Sequence, residues 1–161
     1  MPITSPGNQS NGEDALVAAW IETSHVLNVP TRGKGFVDFT RPVAEWLDGL
    51  GAQGGLLTVF VRHTSASLTI QENADPNVRV DLLDALERLA PEDRHYAHHE
   101  EGPDDMPSHI KSMLTSVSLS IPVREGAMTL GTWQGLYLVE HRAAPHLRQV
   151  VLSFIGRAAD A

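Results

Sequence analysis

Apolar and polar positions change their spacing several times along this chain, and each change predicts an element. Leu16 to Val29 alternates loosely through Val17, Trp20, Ile21, Val26 and Leu27, which predicts a strand. Gly33 and Gly35 mark a turn, and Phe36 to Phe39 resumes extended structure. Thr40 stands where an N-cap belongs, with Pro42 in the first turn. Val43, Ala44, Trp46, Leu47 and Leu50 then form a helical stripe that Gly51 and Gly54-Gly55 end. Gly55 to Ile70 predicts strand structure around a polar run, and Leu68 to Glu72 alternates again. Asp75-Pro76 is a cap followed by a first-position proline. Val78, Leu82, Leu83, Leu86 and Leu89 continue at helical spacing to Pro91.

Leu114 to Val123 alternates as a strand, and Glu125-Gly126 forms a hairpin turn into Met128-Thr129-Leu130. Gly131 to Gly135 interrupts, Leu136 to Val139 continues as a strand, and Arg148 to Ile155 is the last. Six or seven strands with two main helices, without βαβ alternation, predict an α+β fold with a mostly antiparallel sheet. Residues 1–14 are rich in chain-breakers and read as a disordered tail, leaving a single domain over 15–161.

Composition removes several function classes. The net charge of −8 argues against nucleic-acid binding, which rests on Lys and Arg neutralising phosphates. The absence of cysteine excludes disulfides, thiolate metal sites and a cysteine nucleophile, so any metal must be held by His, Asp and Glu. No apolar run is long enough to cross a bilayer, and the N-terminus lacks the basic start and apolar centre of a signal peptide. The expected location is the cytoplasm.

The densest chemistry lies in Glu100 to Lys111, where carboxylates, His109 and Lys111 crowd among turn-formers just after Tyr96-Ala97-His98-His99. Asp104, Asp105, His98 and His109 could ligate a divalent cation or act as general acid and base. Alternatively, Asp104 and Asp105 cap a short helix beginning near Pro107, with His109 and Lys111 on its surface. Strand periodicity would put His63, Ser65 and Ser67 on one face, holding a phosphate, a water network or a metal, or facing solvent. Asp75 has sufficient work as a cap, whereas Glu72 and Asn73 have no evident structural task beyond a turn. Gly131-Thr132-Trp133-Gln134-Gly135 brackets a tryptophan with glycines inside a strand pattern, which marks a bulge or a close approach to a ligand. Trp133 could stack on an aromatic ring or serve a core or subunit contact. Arg142 could fork onto a phosphate, or Glu140-His141-Arg142 could be an exposed strand-end charge triplet.

Four of these segments together resemble the YjbQ family, also called secondary thiamine-phosphate synthases. They are His63 to Ile70, Glu72-Asn73-Ala74-Asp75, Glu101 to Lys111 and Leu130 to Gly135, in the family's order and spacing. The resemblance spans about residues 17–156; Val139 stands where members often carry a tryptophan before Glu-His-Arg. It implies an α+β subunit assembled as a homotrimer. It also implies a weak thiamine-phosphate synthase activity, joining a pyrimidine diphosphate to a thiazole phosphate with release of pyrophosphate.

Carried onto this chain, the implied catalytic residues are His63, Glu72, Asp105 and His109. The implied substrate-binding residues are Ser65, Ser67, Asn73, Asp104, Thr132, Trp133 and Gln134, and Lys111 or Arg142 could neutralise the diphosphate. His63, His98 and His109 would hold a divalent metal ion, zinc or magnesium. The expected partner is a small phosphorylated metabolite. Metal-dependent phosphohydrolysis and a non-catalytic metabolite-binding trimer are the alternatives.

Overall fold

A computed structural model describes residues 19–159. The tail expected over residues 1–14 lies outside them. The strands are β1 (Ala19–Pro30), β2 (Gly35–Asp38), β3 (Ala52–Val61), β4 (Ala66–Glu72), β5 (Ser118–Arg124), β6 (Ala127–Met128), β7 (Gln134–Glu140) and β8 (Leu147–Ala158). The helices are α1 (Thr40–Gly49), α2 (Pro76–Leu89) and α3 (Asp105–Leu114). The strands form two antiparallel sheets, one in the order β1-β8-β3-β5-β6 and the other β2-β7-β4. The architecture is α+β, as the pattern predicts, with the sheet divided in two and a third helix added.

The core lies between the sheets. Leu57, Val59 and Val61 of β3 and Val150, Leu152 and Phe154 of β8 meet Leu68 of β4 and Leu136 and Leu138 of β7. Val43 and Leu47 of α1 close one end. Strand β7 is buried on both faces from Gly135 to Glu140, which is why it reads as an unbroken apolar run. Leu136 and Leu138 face the other sheet. Tyr137, Val139 and His141 face away from it, toward the side that carries Arg79 of α2 and Lys111 of α3.

Several expectations need correction. Gly55 to Ile70 is not one strand region but parts of β3 and β4, which lie in different sheets. Thr40 is the first residue of α1 rather than its cap; its N–H and hydroxyl donate to Asp38 Oδ1 at 2.9 and 2.7 Å. Leu114 ends α3 rather than starting a strand, because the Thr115 hydroxyl closes the last turn on Lys111 O at 2.7 Å. Asp75 does cap α2, accepting the Asn77 N–H at 2.8 Å with Pro76 at the first helical position.

Candidate functional site

The polar residues converge where β7 ends. Glu140, His141 and Arg142 point in three directions and tie three parts of the fold together. The triplet is not an exposed strand end: Glu140 and His141 are fully or nearly buried.

Glu140 faces the inter-sheet core. Its carboxylate accepts from Arg148 Nε at 2.7 Å, Arg148 Nη2 at 2.6 Å, Thr31 Oγ1 at 2.8 Å and the Arg142 N–H at 3.0 Å. Burial pushes its carboxyl up, but these donors outweigh burial and hold it below the ordinary carboxylate range. Arg148 also donates to Ser65 Oγ at 3.1 Å. On the opposite face, His141 Nε2 shares a 2.9 Å hydrogen bond with Ser67 Oγ. Burial, reinforced by the charge of Lys111, lowers His141 to about 4, so the imidazole is neutral at physiological pH.

Arg142 reaches the start of α3. Its Nε donates to Asp104 Oδ2 at 3.2 Å, its Nη1 pairs with Asp105 Oδ1, and its Nη2 donates to Glu101 O at 2.9 Å. Asp104 also accepts the Ala143 N–H at 2.8 Å. Burial would raise the Asp104 carboxyl, and the Ala143 N–H with the Arg142 guanidinium outweighs that and lowers it. Gly102 makes the loop before the helix possible, since its φ of 109° is open to glycine and strained for other residues. Two acidic residues at the start of a helix are also favoured by its dipole.

Asp105 is thereby locked with its second oxygen facing two imidazoles. His98 Nε2 lies 2.6 Å from Asp105 Oδ2, and His109 Nε2 lies 3.4 Å from the same oxygen. His109 follows Asp105 by one helical turn, so α3 sets the second distance. The other ring nitrogen of His109, Nδ1, donates to Thr64 O at 3.1 Å, since a carbonyl only accepts. Candidate ligand atoms of His98, Asp105 and His109 lie within 4.8 Å of one another.

Two imidazoles and one carboxylate, with His98 exposed to solvent, are a donor set that would suit zinc better than the all-oxygen preference of magnesium. The hydrogen bonds from His109 to Thr64 O and from Arg142 to Asp105 are the kind of outer contacts that orient metal ligands.

His98, Asp104, Asp105 and His109 therefore come together as the sequence suggests, and Arg142 joins them by binding these carboxylates rather than as a free phosphate fork. His63 stands apart from this donor set: its Nε2 accepts the Gln149 N–H at 2.9 Å. The expected single face of His63, Ser65 and Ser67 does not exist, because residues 62–65 leave the strand before β4 begins. The three side chains turn to Gln149, Arg148 and His141 respectively. Lys111 is not on the helix surface but buried, donating to Glu87 Oε1 at 2.7 Å.

Glu72, Asn73, Thr132, Trp133 and Gln134 gather at the opposite end of β4 and β7, where Glu72 pairs with Gln134. The centre lies beyond the other end, where Ala66 pairs with Glu140, six strand residues or about 20 Å away. Trp133 is 65% exposed there, beside a cavity of about 360 Å³ lined by Ile70, Glu72 and Gln134. Thr64, Glu140, His141 and Arg148 were not singled out by the sequence as site residues; charged residues closing an unbroken apolar strand were the available signal for the middle two.

A family model described as UPF0047 protein YjbQ-like matches residues 25–157. A UPF0047 protein of Synechocystis sp. is 48% identical over 140 residues, covering 86% of this chain and 95% of that protein. The UPF0047 protein YjbQ of Salmonella typhimurium is 43% identical, covering 85% and 99%. Among solved structures, a conserved hypothetical protein of Thermus thermophilus is similar at 42% identity with a TM-score of 0.70, covering 79% of this chain and 97% of its own. An uncharacterized conserved protein of the YjbQ/UPF0047 family from Clostridium acetobutylicum is similar at 36% identity with a TM-score of 0.73, covering 83% and 99%. With the fold and most of the chain in common with these proteins, the chain belongs to the UPF0047 YjbQ-like family.

Proposed function

We propose that this chain is a metal-dependent enzyme of small phosphorylated metabolites, and that its reaction is of the thiamine-phosphate synthase type. The observation that carries the reading is the cluster of His98, Asp105 and His109, with His109 turned by Thr64 O and Asp105 held by Arg142. A divalent cation held by these three side chains, zinc in preference to magnesium, would supply positive charge to phosphate oxygens of the substrate.

In the proposed reaction the bond between the pyrimidine methylene carbon and its diphosphate oxygen breaks, and pyrophosphate leaves with the electron pair. The thiazole nitrogen forms the new carbon–nitrogen bond, so no oxidant or further reactant is needed. In this reading Asp105, oriented by Arg142, would help hold the cation that neutralises the departing pyrophosphate.

Glu72 and Trp133 lie too far along the sheet to touch the same small substrate within one copy. In this reading a neighbouring copy of a homotrimer would bring them to the substrate. Assembly is supported by the end of the outer face of the five-stranded sheet nearer the centre, where Val26 and Phe60 are exposed in one row through Val151. Among the described residues no helix is long and apolar enough to cross a membrane. That fits the cytoplasmic setting the reaction would have.

The test is incubation of the full chain with the pyrimidine diphosphate and the thiazole phosphate, following thiamine phosphate and pyrophosphate, beside the Asp105→Asn and His109→Ala variants and beside a chelator. Product formation lost in all three arms is expected. Turnover unaffected by both substitutions removes this centre from the chemistry. Hydrolysis is the second reading, favoured by the exposure of His98, which leaves the centre open to water; release of inorganic phosphate from either substrate alone would establish it.

A further inference from the structure

We propose a second, separate site at the far end of the five-stranded sheet: an oxyanion cradle formed by Arg124 and Arg157 across Gly54, which takes the phosphate of a planar-ring compound. Gly54 of β3 is the register partner of Arg124 on β5 and of Arg157 on β8. The two arginines therefore stand in one row on the exposed face, about 10 Å apart at the backbone, with no side chain between them. A Cβ placed on Gly54 would lie 3.7 Å from Arg157 Nη2, so this guanidinium already leans over the gap.

The chain is strongly acidic, with 20 Asp and Glu against 12 Lys and Arg. Even so, among the described residues neither guanidinium pairs with a carboxylate. Two arginines flanking one gap, neither in a salt bridge with a described carboxylate, are the arrangement that a phosphate oxyanion completes.

The local backbone is built irregularly around this point. The β3–β8 register shifts between Ala52 and Gly54, a bulge that leaves Gln53 unpaired in that ladder. Its carbonyl instead accepts the Gly126 N–H at 3.2 Å. Glu125, in the turn after Arg124, has a φ of 51°, an uncommon conformation for a residue with a side chain. Open surface depressions of about 710 and 700 Å³ flank the row, and both are lined by Gly54, Arg124 and Arg157. Glu125 also lines the first.

Trp20 gives the site its ring selectivity. It is the register partner of Arg157 on β1, lines the second cavity and is 74% exposed. An indole beside a guanidinium pair suits a flat ring carrying a phosphate or diphosphate. The row is distinct from the metal centre: Gly54 to Val61 alone spans about 23 Å along β3, and the centre lies beyond Val61.

The experiment is calorimetric titration of the chelator-treated full chain with inorganic pyrophosphate and with phenyl phosphate. Both probes are expected to bind. Arg124→Gln and Arg157→Gln should each weaken binding about tenfold or more, and the double variant should abolish it. Trp20→Ala should weaken phenyl phosphate and leave pyrophosphate unchanged. All three substituted residues are exposed, and unchanged thermal melting confirms folding. Wild-type protein that binds neither probe at millimolar concentration, or a double variant that binds as wild type, overturns the proposal. So does a double variant that changes only the oligomeric mass, which would assign the arginines to carboxylates of a second copy.

Discussion

Replacing Arg148 by Met should cost this protein about 3 kcal/mol at neutral pH and far less in acid. Arg148 supplies two of the four hydrogen bonds to the fully buried Glu140 carboxylate, at 2.7 and 2.6 Å. Methionine keeps much of the side-chain volume but leaves the carboxylate without its counter-charge. An isolated buried charge is so unfavourable that Glu140 would take up a proton instead. The ordinary glutamate value is 4.5. Protonating such a group at pH 7 costs about 2.5 pH units, or roughly 3.4 kcal/mol, and at pH 5 about 0.7 kcal/mol.

The pH dependence of wild type and variant differs in sign. In the wild type the depressed Glu140 carboxyl contributes stability above pH 4.5 that is lost as pH falls through its lower folded value. In Arg148→Met the folded value is raised, so stability declines as pH rises above 4.5. The gap between the proteins should be widest at neutral pH and close toward pH 4.5. Urea unfolding followed by far-ultraviolet circular dichroism at pH 7 and pH 5 measures it, and the melting temperature at pH 7 should fall by roughly 6–14 °C. A loss below about 1 kcal/mol at pH 7, or one independent of pH, would refute the reasoning.

His141→Asn should flatten the acid limb of stability. The neutral buried imidazole, lowered to about 4, costs the wild type about 3 kcal/mol as pH falls from 6.5 toward 4; identical slopes in wild type and variant would contradict this. Gly156→Ala should destabilise by about 1–3 kcal/mol or more. A Cβ there would lie 2.4 Å from Gly54 O and 2.7 Å from Gly55 Cα, and a melting temperature within error of wild type would show that the strands separate freely. Arg142→Ala should weaken zinc binding about 10–100-fold by releasing Asp105. Competition with a chromophoric chelator reads this, and unchanged affinity would mean that Arg142 does not orient the ligand.

Much of the candidate site was legible because its residues are close in sequence. His98, Asp105 and His109 fall within twelve positions, and Asp105 and His109 are one helical turn apart, so local geometry joins them. Arg142 was visible only as a charge at a strand end. Its use depends on β7 delivering it to the start of α3, a contact 37 residues apart in the chain. The position of His63 is hidden for the complementary reason: across residues 62–65 the chain leaves one sheet for the other, and the two-residue alternation of a strand no longer applies.

The sequence by itself determined the α+β class, the positions of most strands, the proline-started helix α2 and the crowd of carboxylates and imidazoles around α3. All of these follow from spacing, capping and turn chemistry acting over a few residues. Only the tertiary structure decided that the strands divide into two sheets, that Glu140, His141 and Arg142 serve three different partners, and that Trp133 lies about 20 Å along the sheet from the centre. Those outcomes depend on which strands pair and which faces they bury. Pairing joins residues as far apart as Gly35 and Glu140, and no local pattern carries that information.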